Sequence, residues 1–170
     1  IRSFNLDPTK KTILILGGSL GARTINQCLM SNLDKVKTSG VQFIWQTGKI
    51  YIDEARKTVA ESGEFPMLHV TDFISDMATA YCAADLVISR AGAGSISEFC
   101  LLKKPVILVP SPNVAEDHQT KNALALVNKN AALYVKDSEA KDTLLAKAIE
   151  AVNQPDLLMN LSKNIAELAF

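Results

Sequence analysis

The chain is predicted to fold as an α/β domain, a doubly wound parallel sheet of about six strands with helices on both faces. Three observations predict it. Short apolar runs alternate with amphipathic stretches along all 170 residues, the pattern left by strands buried on both faces and by the helices that cover them. Turn-forming residues, most visibly Gly17-Gly18 and Gly92-Ala93-Gly94, follow directly on two of those runs. No segment repeats at a fixed period and no low-complexity linker divides the chain, so residues 1–170 read as a single domain.

Taken in order, the strands are Thr12–Leu16, Gln42–Trp45, Met67–Val70, Leu86–Ile88, Val106–Val109 and Ala132–Val135, each a short run of apolar residues. The intervening helices are expected over Ala22–Leu33, Tyr51–Ser62, Ile74–Ala83, Ile96–Leu102, Gln119–Asn128, Ser138–Val152 and Pro155–Leu168. In the second of these, Ile52, Ala55 and Val59 form one apolar stripe, while Asp53, Glu54, Arg56 and Lys57 point to solvent. Strands alternating with helices give a Rossmann-like sheet, and in such sheets ligands collect at the carboxyl ends of the strands.

Composition narrows the partner. Lys and Arg number 18, Asp and Glu also 18, and no block of like charge occurs, which argues against nucleic acid and against a strongly electrostatic membrane surface. Cys28, Cys82 and Cys100 are odd in number and far apart. They suggest neither a disulfide framework nor a zinc site, and each is expected to be a small core residue on a helix. No apolar run is long enough to span a bilayer and no signal-peptide pattern opens the chain, so a cytoplasmic setting is expected. The start at Ile1-Arg2-Ser3, without Met, reads as a domain cut from a longer protein.

Four loops at the carboxyl edge carry the functional signal. Leu86-Val87-Ile88 runs into Ser89-Arg90-Ala91-Gly92-Ala93-Gly94-Ser95-Ile96-Ser97-Glu98, a strand, a glycine-rich turn and a helix start. Free N–H groups at such a start suit an anion, above all a phosphate, and Glu98 stands where it would accept from ribose hydroxyls. Ser95-Ile96-Ser97-Glu98 equally fits a capping box, in which Glu98 only returns a bond to the Ser95 backbone. Gly17-Gly18-Ser19-Leu20-Gly21-Ala22-Arg23 is a second strand-to-helix turn, neither a dinucleotide fingerprint nor a P-loop. In Thr71-Asp72-Phe73-Ile74-Ser75-Asp76-Met77, the residues Phe73, Ile74 and Met77 either wall a flat base or pack in the core. The fourth loop, from Pro110 to Gln119, ends at a helix entrance where Asp117 is a candidate cap, His118 has no assigned role and the Gln119 amide suits sugar hydroxyls.

These four ordered motifs resemble the carboxyl-terminal, donor-binding half of the MurG family, the peptidoglycan N-acetylglucosaminyltransferases of glycosyltransferase family 28. The resemblance covers essentially the whole chain. It rests on Gly17 to Arg23 with Asn26, Asp72 to Met77, Ser89 to Glu98, and Asp117-His118-Gln119 with Asn122-Ala123. Arg2 looks like the arginine that closes the family's interdomain linker. The implied fold is one half of a GT-B glycosyltransferase, and the implied donor is UDP-N-acetylglucosamine. Carried over position by position, Gly18 and Ser19 would contact the diphosphate, as would the segment Ala93, Gly94, Ser95, Ile96 and Ser97. Ile74 would meet the uracil through its backbone with Phe73 and Met77 nearby, and Arg2 would stand at the nucleotide edge. Glu98 would hold the ribose and Gln119 the donor sugar. Many members have Gln-Gln where this chain has His118-Gln119, and Leu-Thr where it has Gly94-Ser95; the second change keeps a hydroxyl.

The family reaction transfers N-acetylglucosamine with inversion to the 4-hydroxyl of the muramoyl sugar in lipid I, giving lipid II and UDP. No cofactor is implied, and the absence of a D-x-D pair gives no sign of a protein-held metal. The general base, the lipid I site and the apolar membrane patch belong in the family to an amino-terminal acceptor domain. By this resemblance the chain binds donor without catalysing, and the full-length protein sits peripherally on the cytoplasmic face of the plasma membrane. Two alternatives stay open: another GT-B UDP-sugar transferase, such as a diacylglycerol glucosyltransferase or an Alg13-like subunit, and a non-enzymatic nucleotide-binding regulator.

Overall fold

A computed structural model describes residues 6–17, 22–112 and 118–169. Six strands, β1 (Thr12–Leu16), β2 (Gln42–Gln46), β3 (Leu68–Thr71), β4 (Leu86–Ser89), β5 (Val106–Leu108) and β6 (Leu133–Tyr134), form one sheet in the order β3-β2-β1-β4-β5-β6. Every pairing is parallel. The doubly wound architecture expected from the sequence is therefore the one found.

Alternation along each strand divides the core into two layers, because successive side chains of a strand face opposite ways. Ile13, Ile15, Phe43, Trp45, Leu86 and Ile88 point to one face. There they meet α1 (Arg23–Ser31), α2 (Leu33–Thr38), α3 (Ile52–Ser62) and α7 (Asp137–Val152) through Ile25, Leu29, Val36, Ala55, Leu144 and Ala148. Leu14, Ile44, Val87, Val106 and Leu108 point to the other. This second layer is closed by α4 (Met77–Ala83), α5 (Ala93–Leu102) and α6 (His118–Val127), which contribute Tyr81, Phe99, Cys100, Ala123 and Leu126. The last helix, α8 (Pro155–Ala166), spans both layers, giving Leu158 to the first and Ile165 to the second. Among the described residues, no helix is long and apolar enough to cross a membrane.

Three of the helix boundaries that differ from the expected ones do so for a clear local reason. The helix expected over Ala22–Leu33 stops at Ser31, and a short separate helix follows. At the break, Asn32 leaves helical geometry (φ −126°, ψ 29°) and its Nδ2 donates to the carbonyls of Cys28 (2.7 Å) and Lys141 (3.0 Å), the competition with the backbone that disfavours Asn inside helices. α4 begins at Met77, not Ile74, because the Ile74 N–H is drawn to Gln46 Oε1 at 2.9 Å and Asp76 caps the helix by accepting from the Thr79 N–H at 3.1 Å. α5 begins at Ala93, one turn before Ile96, with Gly92 as its extended N-cap. All three cysteines do lie on helices, but Cys82 is exposed while Cys28 and Cys100 are buried.

Gly17, at the exit of β1, is held by close approach. A Cβ there would lie 2.8 Å from the Gln46 carbonyl oxygen and 3.2 Å from that of Thr47, while its own N–H donates to the Gln46 carbonyl at 2.8 Å. Relieving the clash means moving β1 away from β2. Gly17→Ala is expected to lower stability by about 1–3 kcal/mol, the usual cost of overpacking, read as a fall in the urea midpoint at unchanged slope.

Candidate functional site

The order of the sheet locates the site before any side chain is considered. From β1 the chain moves outward through β2 and β3 on one side and returns to lay β4, β5 and β6 on the other. The connections leaving β1 and β4 therefore diverge to opposite faces and open a crevice at the carboxyl edge.

The turn that leaves β4 forms one wall. Gly92 (φ −69°, ψ 146°) caps α5 without any side-chain bond, and the first bond within the helix runs from Ile96 N–H to the Gly92 carbonyl at 3.0 Å. The N–H groups of Ala93, Gly94 and Ser95 thus precede the first helical hydrogen bond and stand at the positive end of the helix dipole. Neither Gly92 nor Gly94 is imposed by packing, since a Cβ on either would meet no atom within 4 Å. Glycine at Gly94, inside a helix, costs on the order of 1 kcal/mol relative to alanine. Its presence here has no internal structural reason.

Two side chains of α6 hold this turn. The Oε1 of Gln119, a residue only 9% exposed, accepts from the Ser111 N–H at 2.9 Å and from the Ala91 N–H at 3.3 Å. Asn122 Nδ2 donates to the Ala91 carbonyl at 3.3 Å. Ala91 is gripped at both backbone groups, and the loops after β4 and β5 are tied to each other. Next to it, Arg90 donates through Nη1 to the carbonyls of Val109 (3.2 Å) and Pro110 (3.3 Å) and pairs with Asp137 Oδ1 (2.5 Å). Asp137 Oδ2 in turn accepts from Thr24 Oγ1 at 3.1 Å, so the network reaches α1. Across the crevice, the fully buried Asn26 joins α1 to the end of β2: its Nδ2 donates to the Thr47 carbonyl at 2.9 Å, and its Oδ1 accepts from Trp45 Nε1 at 2.9 Å.

The second wall is the loop between β3 and α4. Phe73 is 54% exposed, as a residue offered to a ligand would be. The Ile74 side chain is buried in the core and Met77 packs partly against it. The Ile74 N–H is already committed to Gln46, which leaves its carbonyl as the backbone group for any base. Glu98 is exposed on α5 and makes no capping box, because Ser95 lies inside the helix instead of at its cap. Instead, Glu98 Oε2 accepts a hydrogen bond from the Tyr81 hydroxyl at 3.3 Å. Burial, then the charge of Glu98 and this bond, push the Tyr81 phenol up to about 12.

Of the residues singled out in the sequence, Ala93, Gly94, Ser95, Ile96, Ser97 and Glu98 come together on the first turns of α5. Gln119 stands behind that helix start, and His118 is exposed at the beginning of α6. Arg2, Gly18, Ser19 and Asp117 lie outside the described residues. Sequence reasoning did not find Tyr81, Gln46 or the grip of Asn122 and Gln119 on Ala91, because each of these contacts joins residues at least 17 positions apart.

Comparison with known proteins fits this geometry. The model of the glycosyltransferase family 28 C-terminal domain matches residues 12–169. The chain belongs to glycosyltransferase family 28. Among relatives of this family 28 domain, a protein of Phocaeicola vulgatus is 79% identical over the whole of this chain, and one of Bacteroides fragilis is 69% identical over 99% of it. Both are named UDP-N-acetylglucosamine–N-acetylmuramyl-(pentapeptide) pyrophosphoryl-undecaprenol N-acetylglucosamine transferase. The chain spans 45% of the length of each. The crystal structure of Acinetobacter baumannii MurG superimposes with a TM-score of 0.78 at 29% identity, over 99% of this chain and 48% of that one.

The clamp on Ala91 yields a prediction specific to this fold. Gln119→Leu removes the acceptor shared by the Ala91 and Ser111 amides and is expected to cost about 1–3 kcal/mol, the penalty for stranding buried donors. Faster hydrogen exchange at those two amides, with β1 and β2 still protected, is the expected signature.

Proposed function

We propose that the chain is the donor-binding half of an inverting glycosyltransferase and holds UDP-N-acetylglucosamine in the crevice between β1 and β4. The single observation that carries this reading is the start of α5: three N–H groups ahead of the first helical bond, at a glycine turn that packing does not require, with the Glu98 carboxylate on the same helix. The arrangement suits a diphosphate followed by a ribose. The names of the family 28 relatives supply the sugar and the acceptor.

In this reading the N–H groups of Ala93, Gly94 and Ser95 meet the diphosphate, and the family resemblance assigns Gly18 and Ser19 to the same group. Glu98 accepts from the ribose hydroxyls, and the Ile74 carbonyl and the exposed Phe73 meet the uracil, with Met77 behind them. The family resemblance assigns Arg2 to the nucleotide edge. Gln119 reaches the donor sugar while bracing the turn, and His118, exposed at the start of α6, keeps no assigned role. As the glycosidic bond breaks, negative charge grows on the departing UDP, and donors already fixed in place stabilise it without reorganisation. The acceptor is the muramoyl 4-hydroxyl of lipid I and the product lipid II. The general base and the acceptor site lie in a further domain, as the 45% span of the relatives supports, so the chain by itself binds donor without transferring it. That domain also carries the peripheral attachment to the cytoplasmic face of the membrane, and through this product the reaction serves cell-wall growth, cell shape and division.

Calorimetric titration tests the reading. UDP-N-acetylglucosamine is expected to displace UDP more effectively than UDP-glucose does; equal displacement removes the donor assignment and favours another GT-B transferase. Glu98→Ala is expected to weaken UDP by about 1–3 kcal/mol, the cost of leaving ribose hydroxyls unpaired, with the chain still folded.

A further inference from the structure

Glu98 is a long side chain on an exposed helical face, and left alone it would sample many rotamers. A carboxylate that must accept from two adjacent hydroxyls binds them more tightly when its orientation is fixed beforehand. The structure supplies a fixing partner. Tyr81, on α4, is 5% exposed, and its ring meets that of Phe99 edge-on at 6.1 Å and 82°. The ring is thereby held, and its hydroxyl reaches Glu98 Oε2 at 3.3 Å.

We propose that Tyr81 is a positioning residue for nucleotide selection: its hydroxyl holds one oxygen of Glu98 so that the other faces the ribose, and so sets the preference for a ribonucleotide over a deoxynucleotide. This rests on the reading of Glu98 as the ribose contact. The phenol is well placed for such a role, because burial keeps it protonated far above neutral pH and it remains a donor to the carboxylate throughout. Tyr81 sits on the helix that the Phe73 loop enters, and Asp76 caps that helix. One hydrogen bond therefore ties the element proposed to carry the base to the one proposed to carry ribose and phosphate.

The test is a double-mutant cycle read with two ligands, UDP and 2′,3′-dideoxy-UDP, by calorimetry on the 170-residue chain. Tyr81→Phe keeps the ring against Phe99 and removes only the hydroxyl. It is expected to weaken UDP about threefold to tenfold, the net worth of one ordinary hydrogen bond, and to leave 2′,3′-dideoxy-UDP unchanged. In a Glu98→Ala background the same substitution is expected to change neither. A loss shared by both ligands, a loss that persists without Glu98, or no loss at all overturns the positioning role. If Glu98→Ala itself fails to narrow the gap between the two ligands, the ribose reading falls and the role of Tyr81 with it, a result distinct from the other three.

Discussion

Everything at the carboxyl edge depends on the parallel pairing of β1 with β4, the point at which the sheet changes direction. That pairing is registered at its far end by one residue. Asp85 N–H donates to the Thr12 carbonyl at 2.8 Å, and the Thr12 N–H donates back to Asp85 Oδ2 at 2.8 Å. With Thr12 fixed, Ile13, Leu14 and Ile15 fall opposite Leu86, Val87 and Ile88. A slip of one residue would turn Leu14 from one core layer into the other, which both fully buried faces forbid. The exits of the two strands, and the helices they feed, are thereby delivered to opposite faces at a fixed separation.

The edge itself is held by side chains acting on backbone. Asn26 grips the end of β2, Gln46 the loop after β3, Gln119 and Asn122 the turn after β4, and Arg90 the end of β5. Loops at such an edge have lost their ladder partners and need others, since a buried N–H or C=O without a bond is costly. Amides recur in these positions because a single Asn or Gln both donates and accepts. Asn26 uses both capacities, one toward Thr47 and one toward Trp45. The polar residues most noticeable in the sequence near these loops are thus largely occupied with building them.

This division explains what was legible in the sequence. The strands were, because a doubly covered parallel strand is an unbroken apolar run and Thr12 to Leu16 or Leu86 to Ile88 has no other use. The start of α5 was misread by one turn, because Ser95 and Glu98 match a capping pair while the actual cap is Gly92, which offers no side chain to recognise. The helix expected to start at Ile74 starts at Met77. The backbone of Ile74 is instead taken by Gln46, 28 residues earlier. Glu98 stood out through its distance from the glycine turn, whereas Tyr81 reads as one more apolar position of α4. Its hydroxyl acquires a partner only when α4 and α5 pack side by side.

Electrostatics complete the argument for how such a crevice treats an anion. The arginine nearest the β4 turn does not confront the crevice with free charge, for its guanidinium is spent on Asp137 and on the carbonyls of Val109 and Pro110. What remains at the start of α5 is a set of N–H dipoles whose carrier turn is locked by Gln119 and Asn122. Fixed dipoles and mobile cations stabilise a diphosphate differently. A flexible lysine would have to be ordered as charge develops, whereas a clamped helix start is ordered before the ligand arrives, and its contribution grows with the charge on the leaving group. The two amides behind Ala91 hold that turn by its N–H and its carbonyl, so the donors in front of it are fixed by the fold and not by a ligand.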